Sequence, residues 1–174
     1  SAGQIADDWK SRLDFDDSAW LSVSGGPGGV GFERSSGYEK WIGLDVEEAM
    51  YGLYTTCYVR IPFAVEGDPK ETFSELYLNV RYDDGFVAYL NGEEVARVNA
   101  PQLLQWNSRA TANHEASSSA FDEVLDLSDR MDLIHVGDNL LAIQAMNNST
   151  TSSDFIISVA LEGQKAENGS GDYP

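Results

Sequence analysis

Two stretches of this chain combine aromatic rings with planar polar side chains. One holds Tyr38, Glu39, Lys40 and Trp41, and the other Trp106, Asn107, Arg109, Asn113 and His114. That mixture suits the recognition of sugars: a ring face covers the apolar side of a pyranose at low entropic cost, and a few amide or guanidinium groups bond its hydroxyls. The candidate ligand contacts are Tyr38, Trp41 and Trp106 for stacking, with Asn107, Arg109 and Asp84 for hydroxyls. A second chemistry is carried by carboxylates. Asp83 and Asp84 sit side by side before Gly85, where a cation could reach them, and Asp45 and Asp154 could add further oxygens. A Ca²⁺ ion takes six to eight oxygens, and without an EF-hand spacing it would have to be assembled from Asp83, Asp45 and Asp154 on separate segments, in a structural role.

Each of these residues also has a purely structural account. An Asp in a turn commonly bonds its own backbone. A loop tryptophan can fold back as a plug over the end of a core, and Arg81 and Arg97 could pair with Asp83, Asp84 or Asp154. Arg109 and Lys40 could instead grip a uronate or sulfate through charge-assisted bonds. Against the acidity of the whole chain, a neutral glycan is the favoured ligand.

Catalytic signatures are lacking. The chain has no G-x-S-x-G elbow, H-E-x-x-H, phosphate-binding loop or dinucleotide fingerprint. Of its two histidines, His114 beside Glu115 is the one candidate general base, while His135 follows the apolar pair Leu133-Ile134 and reads as structural. Cys57 falls in an alternating apolar run and reads as a small buried hydrophobe. A non-catalytic module is expected.

The elements that must position these residues are strands. Residues 76–98 contain three alternating runs separated by Asp83-Asp84-Gly85 and Asn91-Gly92. Asn-Gly is a strong hairpin signal, because both positions tolerate the positive φ of a type I′ turn. A three-stranded antiparallel meander is expected here. Further strands are expected at 52–63, closed by Pro62 and the 66–71 stretch, and at 121–127, 140–146 and 155–161. Ser128 starts a short helical turn, with Asp129 and Asp132 near its positive end. Residues 24–48 read as a long Gly-rich loop, 99–120 as a second irregular stretch, and 7–20 as a turn or short helix leading to the first strand. The strands from 140 and 155 are apolar on both faces and should be central. About eight strands with almost no helix point to an all-β fold, an antiparallel β-sandwich of jelly-roll type.

The 174 residues fit one domain. Residues 1–163 are expected to form the sandwich and 164–174 a polar C-terminal linker. The start, Ser1-Ala2-Gly3 without an initiator Met, reads as a piece cut from a longer protein. A formal charge of −18 repels nucleic acid and anionic membrane surfaces, so neither is an expected partner. No apolar run is long enough to span a bilayer. N-x-S/T triplets begin at Asn147, Asn148 and Asn168.

The succession FDDSAW, GVGFE, LYTTCYVRIPF, YDDGFVAYLNGEEVARVN, GDNLLAIQAMN and SSDFIISVAL resembles the galactose-binding-domain-like jelly-roll modules of large secreted bacterial proteins, many of them polysaccharide-degrading. The likeness covers residues 9–162 and is most specific at Asp83 to Gly92 and Gly137 to Ala142. It implies an extracellular carbohydrate-binding module that holds a neighbouring catalytic domain on a polysaccharide, with Ca²⁺ as its structural cofactor. Its ligand would meet either the loops at one edge or a concave sheet face. The alternative it allows is a structural or protein-interaction module with no glycan ligand.

Overall fold

Alternation of apolar and polar residues gives each strand one face for a core, and two such faces close on each other in the computed structural model, which describes residues 5–117 and 119–165. Nine strands are present among the described residues: β1 (Gly29–Glu33), β2 (Ile42–Asp45), β3 (Thr56–Val65), β4 (Phe73–Asp83), β5 (Gly85–Leu90), β6 (Glu93–Val98), β7 (Glu123–Asp126), β8 (Gly137–Met146) and β9 (Asp154–Lys165). One sheet has the order β2-β1-β9-β4-β7 and the other β3-β8-β5-β6. The strands β1 and β3 to β9 wind as an eight-stranded jelly roll. β2 is a ninth, added at the edge of β1 in the only parallel pairing among the described residues. As expected, β8 and β9 are central.

The core between the sheets is built from inward residues such as Phe32, Leu78, Val80, Phe86, Ile143 and Phe155. A second apolar layer covers the outer face of the four-stranded sheet. There Trp9, carried on a 3₁₀ turn (Asp7–Lys10), lies edge-on to Tyr58 and Tyr89 at 4.9 and 6.0 Å between centroids. Arg60 fastens this N-terminal strap by bonding the carbonyls of Trp9 and Arg12 and pairing with Asp17 at 2.8 Å.

Four expectations need correction. Residues 76–98 are not a meander: β4 and β5 belong to different sheets, and the chain crosses between them at Asp84. Tyr82 and Phe86 both face the core, their rings 5.0 Å apart, so the alternation is the same for a hairpin as for this corner. Only β5–β6 is a hairpin, its type I′ turn made by Asn91 (φ 50°) and Gly92 (φ 95°). The supposed loop at 24–48 contains β1, a 3₁₀ turn (Glu39–Trp41), β2 and the start of the short α1 (Glu47–Met50). Its glycines permit close packing: a Cβ on Gly31 would collide with the carbonyl oxygen of Phe155. β3 continues through Pro62 to Val65, which an edge strand allows because the missing N–H can face away from the ladder. β9 runs through Lys165, paired to β4, so Gln164 and Lys165 belong to the sandwich. Residues 166–174, with the Asn168 triplet, lie outside the described residues.

Candidate functional site

Three carboxylates meet at one end of the five-stranded sheet, on its outer face. Asp83 closes β4, Asp154 opens β9, and Glu115 comes from the connection before β7; their ligand atoms lie within 4.8 Å of one another. Register explains the first two. Asp83 lies opposite Ile156, two residues along from Asp154, so both side chains leave the same face. Tyr38 roofs the cluster: its hydroxyl donates to Glu115 Oε2 at 3.1 Å, lies 3.4 Å from Asp83 Oδ2, and accepts from the Ala116 N–H at 2.9 Å. Asp83 is 2 % exposed. Burial, followed by the charges of Asp84, Asp154 and Glu115, pushes its carboxyl up to about 9. Burial and the neighbouring Glu115 also raise Asp154, and burial beside Asp83 and Glu115 raises the Tyr38 phenol. Among the described residues no lysine or arginine lies within ion-pair distance of Asp83, Glu115 or Asp154.

Spatially this differs from the expected set. Asp83 and Asp154 are brought together as expected, whereas Asp45 is exposed elsewhere and accepts from the Glu47 N–H at the start of α1. Glu115 takes its place, a residue that sequence reasoning noted only as a neighbour of His114. Asp84 is not a hydroxyl ligand. It is buried, and its two carboxylate oxygens accept from the His114 and Asn148 N–H groups at 2.7 and 2.9 Å, tying three segments together. Arg81 and Arg97 pair with none of these acids. Arg81 donates to the carbonyls of Ser117 and Ala120, and Arg97 pairs with Glu94.

The expected sugar-stacking residues also separate. Tyr38 is 5 % exposed and has no free face. Trp41 carries the Arg81 guanidinium 3.9 Å and the Lys40 ammonium 4.9 Å from its ring centroid, and packs with Tyr38, Ile42 and Ile156, so it is a plug. Trp106 alone keeps an accessible ring, 37 % exposed, with Tyr54 edge-on at 6.2 Å. Asn107 and Arg109 are exposed on the same loop. The sheet holds this loop in place: Tyr58 donates to the Trp106 carbonyl, Gln144 Nε2 to the Gln105 carbonyl at 2.8 Å, and Thr56 to the Ser108 carbonyl.

Between this loop and the N-terminal strap lies a cleft of about 370 Å³ on the outer face of the four-stranded sheet. Tyr58, Tyr89 and Gln144 line it from the sheet, Gln105 and Trp106 from the loop, and Asp7 and Lys10 from the strap. Lys10 pairs with Asp7 at 2.5 Å and lies over the Tyr89 ring at 5.3 Å. Tyr58, Tyr89 and Gln144 were missed because they stand on strands, where alternation marks them only as outward-facing. His114 is half-buried, stacked on Tyr82 at 4.1 Å with Nδ1 donating to the Tyr82 carbonyl.

Fold and topology define an all-β jelly-roll sandwich. No protein-family model matches the chain, and no curated protein sequence matches it. Several solved structures are partly similar, two of them from glycoside-cleaving enzymes. An α-L-rhamnosidase of Streptomyces avermitilis, complexed with L-rhamnose, is 20 % identical over 62 % of this chain and 8 % of its own length, with a TM-score of 0.37. A β-D-mannosidase of Dictyoglomus thermophilum is 18 % identical over 59 % of this chain and 12 % of its own, with a TM-score of 0.34. The chain thus spans about a tenth of either protein, and likeness at this level carries no argument about function.

Proposed function

We propose that this domain is a non-catalytic carbohydrate-binding module whose ligand lies on the outer face of the four-stranded sheet. The observation that carries the reading is the cleft beside Trp106, which puts one accessible indole ring next to the Tyr58 ring and the Gln105 amide in a space suited to a small ligand. Trp106 stacks on a sugar ring, Gln105 bonds hydroxyls, and Asn107 and Arg109 extend the contact along the loop, which buried Gln144 holds to the sheet. A neutral polysaccharide fits better than an anionic one, because Lys10 is already neutralised by Asp7 and the single cation Arg109 stands on a domain of net charge −18. In a secreted parent protein such a module would hold a neighbouring catalytic domain near its polymer and raise its effective concentration there.

A structural Ca²⁺ belongs to the same reading. Two oxygens on one calcium, each about 2.4 Å from it, can be at most about 4.8 Å apart. The atoms of Asp83, Glu115 and Asp154 meet that limit, and their oxygens are the hard donors calcium takes. The ion would supply the positive charge that the cluster lacks and brace β4, β9 and the connection carrying Glu115.

Affinity electrophoresis of the isolated domain against neutral and anionic polysaccharides tests the main claim. Retardation by one polymer class is expected, and Trp106→Ala should abolish it while leaving the melting temperature within about 2 °C, since the ring belongs to neither apolar core layer. Equal retardation of the variant, or none of the wild type, would overturn the site. The second reading, a protein-interaction module, is favoured by a specific observation: an apolar cleft of about 440 Å³ beside β3.

A further inference from the structure

Of the Phe, Tyr and Trp residues among the described ones, only two are exposed, and they touch each other. Tyr54 is 38 % exposed and Trp106 37 %, with 6.2 Å between their ring centroids. Single exposed apolar side chains are ordinary, whereas contiguous ones mark binding surfaces. Tyr54 stands outside the cleft. It precedes β3 by two residues and continues that strand's outward row, which runs from Thr56, bonded to the Trp106 loop, to Tyr58, which lines the cleft. Trp106 meets both ends of the row: its carbonyl accepts from the Tyr58 hydroxyl, and its ring lies against Tyr54. From Tyr58 to Tyr54 an extended backbone covers up to about 13 Å, more than one pyranose ring fills.

The backbone fixes both rings. The Tyr54 N–H donates to the Met50 carbonyl at 2.9 Å, and the hydroxyl of buried Thr55 donates to the Ser108 carbonyl at 3.0 Å, which ties the turn carrying Tyr54 to the loop carrying Trp106. A pair held in this way loses little freedom when a ligand arrives. The two planes are inclined at 67°. A ligand resting on both rings must therefore turn between them, and a flat surface such as a crystalline polymer meets one ring and misses the other. In a β-1,4-linked chain successive sugar faces stay nearly parallel. In a β-1,3-linked chain they turn along a helix.

We propose that Tyr54 is a second sugar-stacking residue, and that the site is a bent track leading from the cleft over Trp106 to Tyr54. Its ligand is a run of several consecutive units in a neutral polysaccharide whose chain curves, as β-1,3-linked chains do. This rests on the carbohydrate reading above and adds to it the length and shape of the ligand.

The test is calorimetric titration of the whole chain with two sets of neutral oligosaccharides, two to six units long. One set holds β-1,3-linked gluco- and galacto-oligosaccharides, which curve. The other holds β-1,4-linked gluco- and manno-oligosaccharides, which run straight. The curved set is expected to bind about ten-fold more tightly at four units than at two, and the straight set to gain less than about three-fold. Tyr54→Ala should remove that gain, bringing four units to the level of two, and Tyr54→Phe should keep it. Trp106→Ala should abolish binding at every length. Equal gains in the two sets would overturn the bent track. A gain that survives Tyr54→Ala would overturn Tyr54 as a contact. So would an equal loss at every length, which would make Tyr54 a support for Trp106; in both cases the cleft would stand. Binding of neither set would overturn the carbohydrate reading and this site with it.

Discussion

The strands β5 and β8 run side by side, and the two ends of that pair solve one problem with different chemistry. At one end, where the Asn91-Gly92 turn meets the turn into β8, two asparagines face each other: Asn91 Nδ2 donates to Asn139 Oδ1 at 2.8 Å. Asn139 is wholly buried, yet its amide is satisfied on both sides. Oδ1 also accepts from the His135 N–H, and Nδ2 donates to the carbonyls of His135 and Gly137. Asn91 Oδ1 in turn accepts from the Leu140 N–H. At the other end stand Asp83 and Asp84. Asp84 is satisfied by two N–H groups, but Asp83, as buried as its neighbour, has only a long contact with Tyr38 and three acids close by. An amide is both donor and acceptor, so two of them can complete each other. Carboxylates only accept when ionised, so a cluster of them needs something from outside, a proton or a cation. The asparagine end is scaffold; the aspartate end is where an added ion would change the molecule.

The largest effect that would test this contrast is expected at the neutral end. Asn139→Ala removes four hydrogen bonds at a fully buried position and should cost about 3 kcal/mol. For a domain of this size that lowers the melting temperature by roughly 6–12 °C, readable by circular dichroism and independent of calcium or chelator. A loss that calcium repaired would break the distinction between the ends.

This also explains how far the residues could be read in advance. The Asn91-Gly92 hairpin, the central β8 and β9, and the all-β class follow from local alternation and turn chemistry. The corner at Asp84 does not, since alternation through Tyr82 and Phe86 suits a hairpin and a crossover equally. β1 and β2 were hidden by glycines, which read as loop until the backbone of Phe155 is seen packed on Gly31. Asp83 and Asp154 were visible as carboxylates at strand ends, but Glu115 is joined to them only by the fold. Aromatic residues in irregular segments look alike in sequence; Tyr38 and Trp41 are roof and plug, whereas Tyr58 and Gln144 pin the Trp106 loop to the sheet by its carbonyls and the indole stays partly accessible.

A smaller effect is expected at the acidic end, and its sign is set by the direction of the shift. The folded value of Asp83, about 9, lies above the ordinary 3.8, so folding favours the protonated form. That contribution is fully present below about pH 4 and disappears as pH rises towards 9. Asp154, also raised, acts in the same direction. In chelator, the wild-type melting temperature should therefore fall across this range by several degrees, and Asp83→Asn should flatten the fall. Calcium should restore the wild type at high pH and leave the variant unchanged. If the two proteins gave parallel profiles in chelator, Asp83 would not be the titrating group; if calcium moved neither, the cation reading would fail while the pH argument stood.

The smallest effect separates a roof from a ligand. Tyr38→Phe keeps the ring that packs on Ala116 and Ile156 and deletes only the hydroxyl. The Ala116 N–H then loses its acceptor and Glu115 its donor, a loss of about 1 kcal/mol, or roughly 2–4 °C. Calcium protection, measured as the rise in melting temperature on adding the ion, should survive, because the carboxylates of Asp83, Glu115 and Asp154 are untouched. It should even grow slightly: the hydroxyl proton bonded to Glu115 occupies a lone pair that the ion could use. Protection lost in Tyr38→Phe but kept in Asp83→Asn would make the phenol, and not the aspartate, the group on which the acidic end depends.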